Sequence, residues 1–187
     1  MSTGDILLIE DETILRLFPP LRFAWAMKGK QAQVRITGCN AKRVVFGAIN
    51  VRTGHRVLMR ARSMRQADFQ GFLREVRKRY KGKRVWMLLD KASCHTAPQS
   101  QNVARELDVI LVWLPKQCSE LNSMDHLWRK LKDNMSANHQ FKTIDESAEY
   151  AESWLLNLSP HQALLKAGIL SKNFWLKYFS KNFCQPT

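Results

Sequence analysis

The sequence predicts a mixed α/β domain in which one sheet combines an antiparallel hairpin with parallel strands and is flanked by helices. Three runs, at residues 6–9, 85–89 and 109–114, are apolar throughout instead of alternating, the pattern of strands covered on both faces. A helix-length segment separates the second run from the third, and a strand-helix-strand crossover of that kind implies parallel neighbours. Residues 44–51 and 55–59 face each other across Arg52, Thr53 and Gly54 as a hairpin. At 187 residues, with 45% hydrophobic composition, six Trp and nine Phe, the chain can bury one sizeable core, and disorder is excluded.

The first run ends at Glu10, Asp11 and Glu12, so a central strand is expected to stop where the carboxylates begin. Residues 22–25 and 33–36 are weaker strand candidates before the hairpin. Ser63 to Gln66 has capping-box spacing and should open a helix to about Tyr80, with Phe69, Phe72, Leu73 and Val76 on its buried face. The second apolar run then ends at Asp90, and a helix from Thr96 to about Leu107 leads to the third. Beyond Pro115 a polar loop feeds a helix from near Asn122, with Met124, Leu127, Trp128, Leu131 and Met135 on one stripe. Thr143 and Ser159 each carry capping-box spacing and start two further helices. No repeat or linker divides the chain, so residues 1–187 are expected to form one domain with a helical C-terminal part from about residue 143.

Thirty Lys and Arg against 16 Asp and Glu leave a net charge of +14, a field suited to a polyanion such as nucleic acid. Residues 60–84 supply +8 of it, with ten Lys or Arg against Asp68 and Glu75. The other reading of that concentration is a solvated helix face. Cys39, Cys94, Cys118 and Cys184 form no zinc-ligand spacing, so reduced thiols are expected. No stretch approaches the ~20 apolar residues that span a bilayer, and no signal peptide is evident, so a soluble protein without a membrane partner is expected.

The acids carry the chemistry. In an open sheet the functional crevice lies beyond the carboxyl ends of parallel strands, where Asp11 and Asp90 would meet if their strands are neighbours. A helix returning across the sheet can bring in Asp125, and three converging carboxylates can hold hard divalent cations together with substrate phosphates. Each acid also has a structural reading: Asp11 in a solvated acidic turn, Asp90 as a helix-start acceptor, and Asp125 closing a capping box on Asn122.

Together, Asp11-Glu12 after the first strand, the Leu-Leu-Asp-Lys-Ala-Ser-Cys-His segment ending at His95, and the segment from Leu114 through Ser119-Glu120-Leu121-Asn122 to Asp125-His126-Leu127-Trp128 and Lys132 resemble the catalytic domain of mariner-type DDE transposases, especially their bacterial insertion sequence six-thirty branch. The resemblance implies an RNase-H-like fold, Asp11, Asp90 and Asp125 as catalytic metal ligands, one pair of Mg²⁺ or Mn²⁺ ions, and cleavage and transfer of DNA strands in cut-and-paste transposition. It also implies double-stranded DNA partners (element ends and target), a homodimer in the synaptic complex, and a bacterial cytoplasmic, nucleoid-associated location. Relatives place a helix-turn-helix region before the first acid. Only ten residues precede Asp11 here, so such a region is expected on a separate or fused partner.

Candidate DNA contacts are Lys91, His95, Arg74, Arg77, Lys78, Arg129 and Lys132; His95 is also suited to orienting the loop after Asp90. Lys91 stands where relatives commonly have Asn, and Gln117, Cys118 and Ser123 stand among positions where they have prolines. A cation beside Asp90 either contacts phosphate or competes with the metal. The alternative reading is therefore a catalytically impaired, DNA-binding remnant or domesticated regulator. A third is a nuclease acting on RNA-containing hybrids.

Overall fold

In the computed structural model, residues 4–18, 25–30, 33, 36–116, 118–135 and 140–177 are described. They form a five-stranded mixed sheet between two helical layers. Strands β1 (Ile6–Arg16), β2 (Lys42–Asn50) and β3 (Arg56–Ala61) pair antiparallel, while β4 (Val85–Leu89) and β5 (Val109–Trp113) run parallel to β1. The order is β3-β2-β1-β4-β5, the expected mixed sheet. Helices α1 (Gln66–Arg79), α2 (Ser93–Thr96) and α3 (Pro98–Glu106) lie on one face. Helices α4 (Ser123–Met135), α5 (Ile144–Asn157) and α6 (Pro160–Lys166) cover the other.

The strand period of two divides β1 between the two cores. Leu8 belongs with Phe46, Phe69, Phe72 and Met87 under α1, whereas Ile9 and Leu15 pack with Val45, Leu127, Trp128 and Leu131 under α4. Asp11 shares the α4 side, and Glu10 and Glu12 share the α1 side.

Three expectations need correction. β1 does not stop at its carboxylates: β2 pairs with it as far as Arg16↔Lys42, and buried Thr13 and Leu15 alternate with exposed Ile14 and Arg16. Asp11 is therefore inside a strand. The helix expected from Thr96 to about Leu107 starts two residues later, as α3 at Pro98, and is preceded by the unexpected short α2; between them Pro98 disfavours helical geometry at Ala97, which adopts φ −56°, ψ 132°. At the start of α1, Asp68 accepts from the Ser63 hydroxyl at 2.6 Å and the Arg65 N–H at 3.2 Å, so the capping acid is Asp68 and not Gln66. The strand candidate at residues 22–25 falls largely outside the described residues, as do residues 34–35 of the second; described Gln33 and Ile36 are not in a strand.

Two contacts bring the hairpin and the helices together. The buried Arg56 guanidinium donates to the carbonyls of Gly54 (2.7 Å), Leu155 (2.8 Å) and Leu158 (2.6 Å), satisfying the C-terminal end of α5. Gly54 itself has φ +69°, and a Cβ there would lie 2.3 Å from the Pro160 carbonyl oxygen. The capping residues Thr143 and Ser159 accept from Glu146 N and Gln162 N, each at 3.1 Å, where their spacing placed them.

Candidate active site

β1 outruns β4 at the carboxyl end of the parallel pair. The last paired residues are Ile9↔Leu88, and two further steps of that register set Asp11 opposite Asp90, the first residue beyond β4. Asp125 arrives from the first turn of α4. All three acids line a cavity of about 420 Å³ with Lys91, Leu114, Lys116, Ser119 and Asn122.

Each acid is held differently. Burial, followed by the charges of Glu12, Asp125 and Asp90, pushes the Asp11 carboxyl up to about 8. Asp90 is held below the usual carboxylate range, first by its hydrogen bond with His95 and, against its partial burial, by the Ala92 N–H at 2.9 Å. Asp125 forms an ion pair with Arg129 one turn along α4. Its carboxylate therefore does not close a capping box; its backbone N–H bonds to the Asn122 carbonyl at 3.1 Å.

Asn122 performs the positioning that sequence reasoning assigned to no residue. Its Nδ2 donates to the Glu10 carbonyl at 3.0 Å, and its Oδ1 accepts from Met124 N at 3.0 Å, fastening the start of α4 to β1 beside Asp11. Gly47, opposite Asp11 on β2, permits the approach: a Cβ there would lie 2.7 Å from Trp128 Cζ2 and 2.8 Å from Met124 Cε. The Asn of the Ser-Glu-Leu-Asn segment was a visible signal for the first, but nothing local marked the second.

Behind Asp90, His95 is fully buried. Its Nδ1 lies 3.0 Å from Asp90 Oδ1, its Nε2 lies 2.8 Å from Glu12 Oε1, and Phe69 packs on its ring at 4.4 Å. Burial opposes charge on the ring, but hydrogen bonds with Asp90, Cys94 and Glu12 and the nearby Glu10 outweigh it and raise the pKa well above the ordinary imidazole range. The expectation that His95 contacts DNA is thus corrected, since a buried ring offers nothing to a phosphate; its Nδ1 bonds instead within the loop that carries Asp90.

The other candidate DNA contacts divide. Lys91 lines the cavity, and exposed Lys132 lies one turn beyond Arg129 on α4. Arg74, Arg77 and Lys78 belong to α1, across the sheet from α4. Arg77 is committed to structure, donating to the carbonyls of Tyr80 (3.0 Å), Lys83 (2.7 Å) and Asp108 (2.9 Å), and Lys78 pairs with Glu75 at 2.6 Å. Trp128 is a core anchor, while Phe174 and Trp175 pack on the domain, with Trp175 Nε1 donating to the Leu121 carbonyl at 3.0 Å. Tyr178 and Phe179 lie outside the described residues.

Carboxylates from a central strand, its parallel neighbour and a crossing helix, gathered at one end of a mixed sheet, form an oxygen-only donor set of the kind that suits hard divalent cations. Residues 7–147 match the model of the DDE superfamily endonucleases, and the chain belongs to that family. A 39 kDa uncharacterized protein of insertion element IS630 from Shigella sonnei is 24% identical over 153 residues, which cover 81% of this chain and 45% of the relative. This chain therefore spans under half of that relative's length. Among solved structures, the Mos1 transposase paired-end complex with left transposon end superposes with a TM-score of 0.70 at 16% identity, covering 96% of this chain and 56% of the other. The mariner Mos1 paired-end complex with Mg gives a TM-score of 0.70 at 16% identity with the same shares. The expected RNase-H-like fold is thus shared with these transposases.

Proposed function

We propose that this chain is the catalytic domain of a mariner-type transposase of a bacterial insertion element, cleaving DNA and joining the ends to a target with divalent cations held by Asp11, Asp90 and Asp125. The convergence of these acids from three separate elements on one cavity carries the reading. Burial and, after it, the repulsion of neighbouring carboxylates raise the pKa of Asp11, and a cation between the acids would relieve that repulsion. Two Mg²⁺ or Mn²⁺ ions, when bound, would neutralise phosphate charge and acidify the attacking water or DNA 3′-hydroxyl.

The chain's own groups prepare that chemistry. Asp90 is ionised and aimed by His95 and the Ala92 N–H, and Asn122 fixes the approach of Asp125 to Asp11. Arg129 neutralises Asp125 and would exchange that carboxylate for phosphate as the site fills. Lys91 and Lys116 on the cavity wall supply donors for phosphate oxygens, while Leu114 and Pro115 provide an apolar side. Double-stranded element ends and target DNA are the partners, with a second copy of the chain and a helix-turn-helix region, separate or fused, completing the synaptic complex in the bacterial cytoplasm. Among the described residues no helix is long and apolar enough to cross a membrane.

The test is Mg²⁺- or Mn²⁺-dependent nicking and joining of DNA bearing the element's ends, with the DNA-recognition region supplied in trans or as a fusion. Asp90→Asn should lower the rate by about 10³-fold or more, in keeping with loss of electrostatic stabilisation. Equal rates in Asp90→Asn and wild type would overturn the assignment.

A further inference from the structure

On the face of β1 turned away from Asp11 lies a second group of metal-ligating side chains. Glu10 and Glu12 project to one side of the strand, and consecutive Cys94 and His95 meet them from α2. His95 Nε2 is 2.8 Å from Glu12 Oε1 and 3.7 Å from Glu10 Oε2, and Cys94 Sγ is 3.6 Å from Glu12 Oε1. One ligand atom from each of Glu12, Cys94 and His95 can be chosen so that all lie within 4.8 Å of one another. The side chains of Glu10, Glu12 and His95 are 0%, 3% and 1% exposed. Glu10 adds an independent observation: both its oxygens are buried without a hydrogen-bond partner, and one is turned toward His95. A buried carboxyl left so either keeps its proton or takes up a cation.

We propose that Glu10, Glu12, Cys94 and His95 form a second metal site, selective for a borderline-soft divalent cation of the zinc class and separate from the three-aspartate cavity. A thiolate and an imidazole in the donor set select such ions over Mg²⁺. Tetrahedral ligands bound at about 2.0–2.3 Å lie roughly 3.3–3.6 Å apart. Three of the six separations, 2.8, 3.6 and 3.7 Å, bracket that range, and the ligand atoms of Glu12, Cys94 and His95 all lie within 4.8 Å of one another. The remaining ring nitrogen of His95 meets Asp90 Oδ1 at 3.0 Å, the carboxylate-histidine-metal arrangement that fixes a ligand's tautomer and orientation. The ion replaces the protons that the thiol and imidazole carry in its absence, releasing them to solvent. Its role is structural: it clasps α2 to β1 and holds Asp90 in place from behind.

The site rests on side-chain placement alone and stands or falls independently of the strand-transfer reading. The purified full chain is assayed for bound zinc by elemental analysis, then stripped and titrated with Co²⁺ in excess Mg²⁺. One ion per chain is expected, with a near-ultraviolet thiolate-to-cobalt charge-transfer band that persists in the Asp11→Asn/Asp125→Asn double variant. Cys94→Ser should remove the band and weaken Co²⁺ binding about tenfold or more. Zn²⁺ should raise the melting temperature of the wild type but not of Cys94→Ser. Failure of the folded wild type to bind zinc or cobalt would overturn the proposal, as would cobalt binding that is unchanged by Cys94→Ser or abolished in the double aspartate variant.

Discussion

At the residue scale, Asp11 is the most informative side chain because burial, and after it the charges of its neighbours, oppose its ionisation. Its carboxyl titrates at about 8 in the fold against an ordinary value of 3.8, so between these pH values the folded chain keeps a proton that the unfolded chain has lost. The unfolded state then binds fewer protons, and this group's contribution to stability declines as pH rises from about 4 to about 8 and is flat above, with a slope of at most about 1.4 kcal/mol per pH unit. Asp11→Asn removes that decline. Thermal unfolding in chelator should show the variant close to wild type at about pH 4 and increasingly more stable as pH rises to about 8.5, even though it loses the proposed chemistry. A stability gap that does not widen with pH would show that burial and neighbouring charge do not hold Asp11 in its protonated form. The acids themselves were legible in the sequence because Asp11, Asp90 and Asp125 sit in recognisable segments. The burial of His95 was not, since its depth depends on Phe69 and Glu12 from elements far away in the chain.

At the element scale, the site depends on how closely α4 approaches the sheet. Existence and type of the long elements followed from their patterns, including the α4 stripe and the capping residues Thr143 and Ser159. The length of β1 did not, because residues 13–16 are ordered by pairing with β2, and that partner is set by the tertiary fold. The contribution of Gly47 was equally hidden, being defined by the rings and methyl that rest on it. Two glycine substitutions separate these roles. Gly47→Ala places a methyl 2.7 Å from Trp128 and must displace α4, costing about 1–3 kcal/mol and weakening Mn²⁺ binding at Asp125. Gly71→Ala, inside α1 with its nearest neighbour Met59 Sδ at 3.7 Å, should instead gain roughly 0.5–1 kcal/mol. Denaturation midpoints and Mn²⁺ titrations of both variants decide the matter. Unaltered Mn²⁺ affinity in a folded Gly47→Ala protein would show that this glycine does not set the position of Asp125.

For the whole molecule, only part of the concentrated charge lies away from the chemistry: Arg60 and Arg62 leave β3 at the end of the sheet where the acids gather, whereas Arg79, Lys81 and Lys83 lie at the opposite end. The sequence showed that residues 60–84 concentrate +8, but only the topology shows where that charge lies. α1 ends at Arg79, Lys81 and Lys83 follow, and β4 begins at Val85, so these cations gather at the amino end of β4, while Asp90 lies at its carboxyl end. Five strand residues put roughly 16 Å between them. A duplex whose phosphate lies at the acids therefore cannot engage Arg79, Lys81 and Lys83 through that same phosphate, and those cations are placed to hold DNA further along or on another segment. Replacing Arg79, Lys81 and Lys83 with Gln should reduce the steepness of the salt dependence of DNA binding by about 0.9 for each phosphate no longer neutralised, while leaving turnover at saturating DNA within about twofold of wild type. Replacing Lys91 and Lys116, which line the cavity, should lower turnover more than affinity. Filter binding across a salt series, set beside single-turnover cleavage, separates the two effects; loss of turnover in the distal variant at saturating DNA would mean that both sets of cations serve the reacting phosphate.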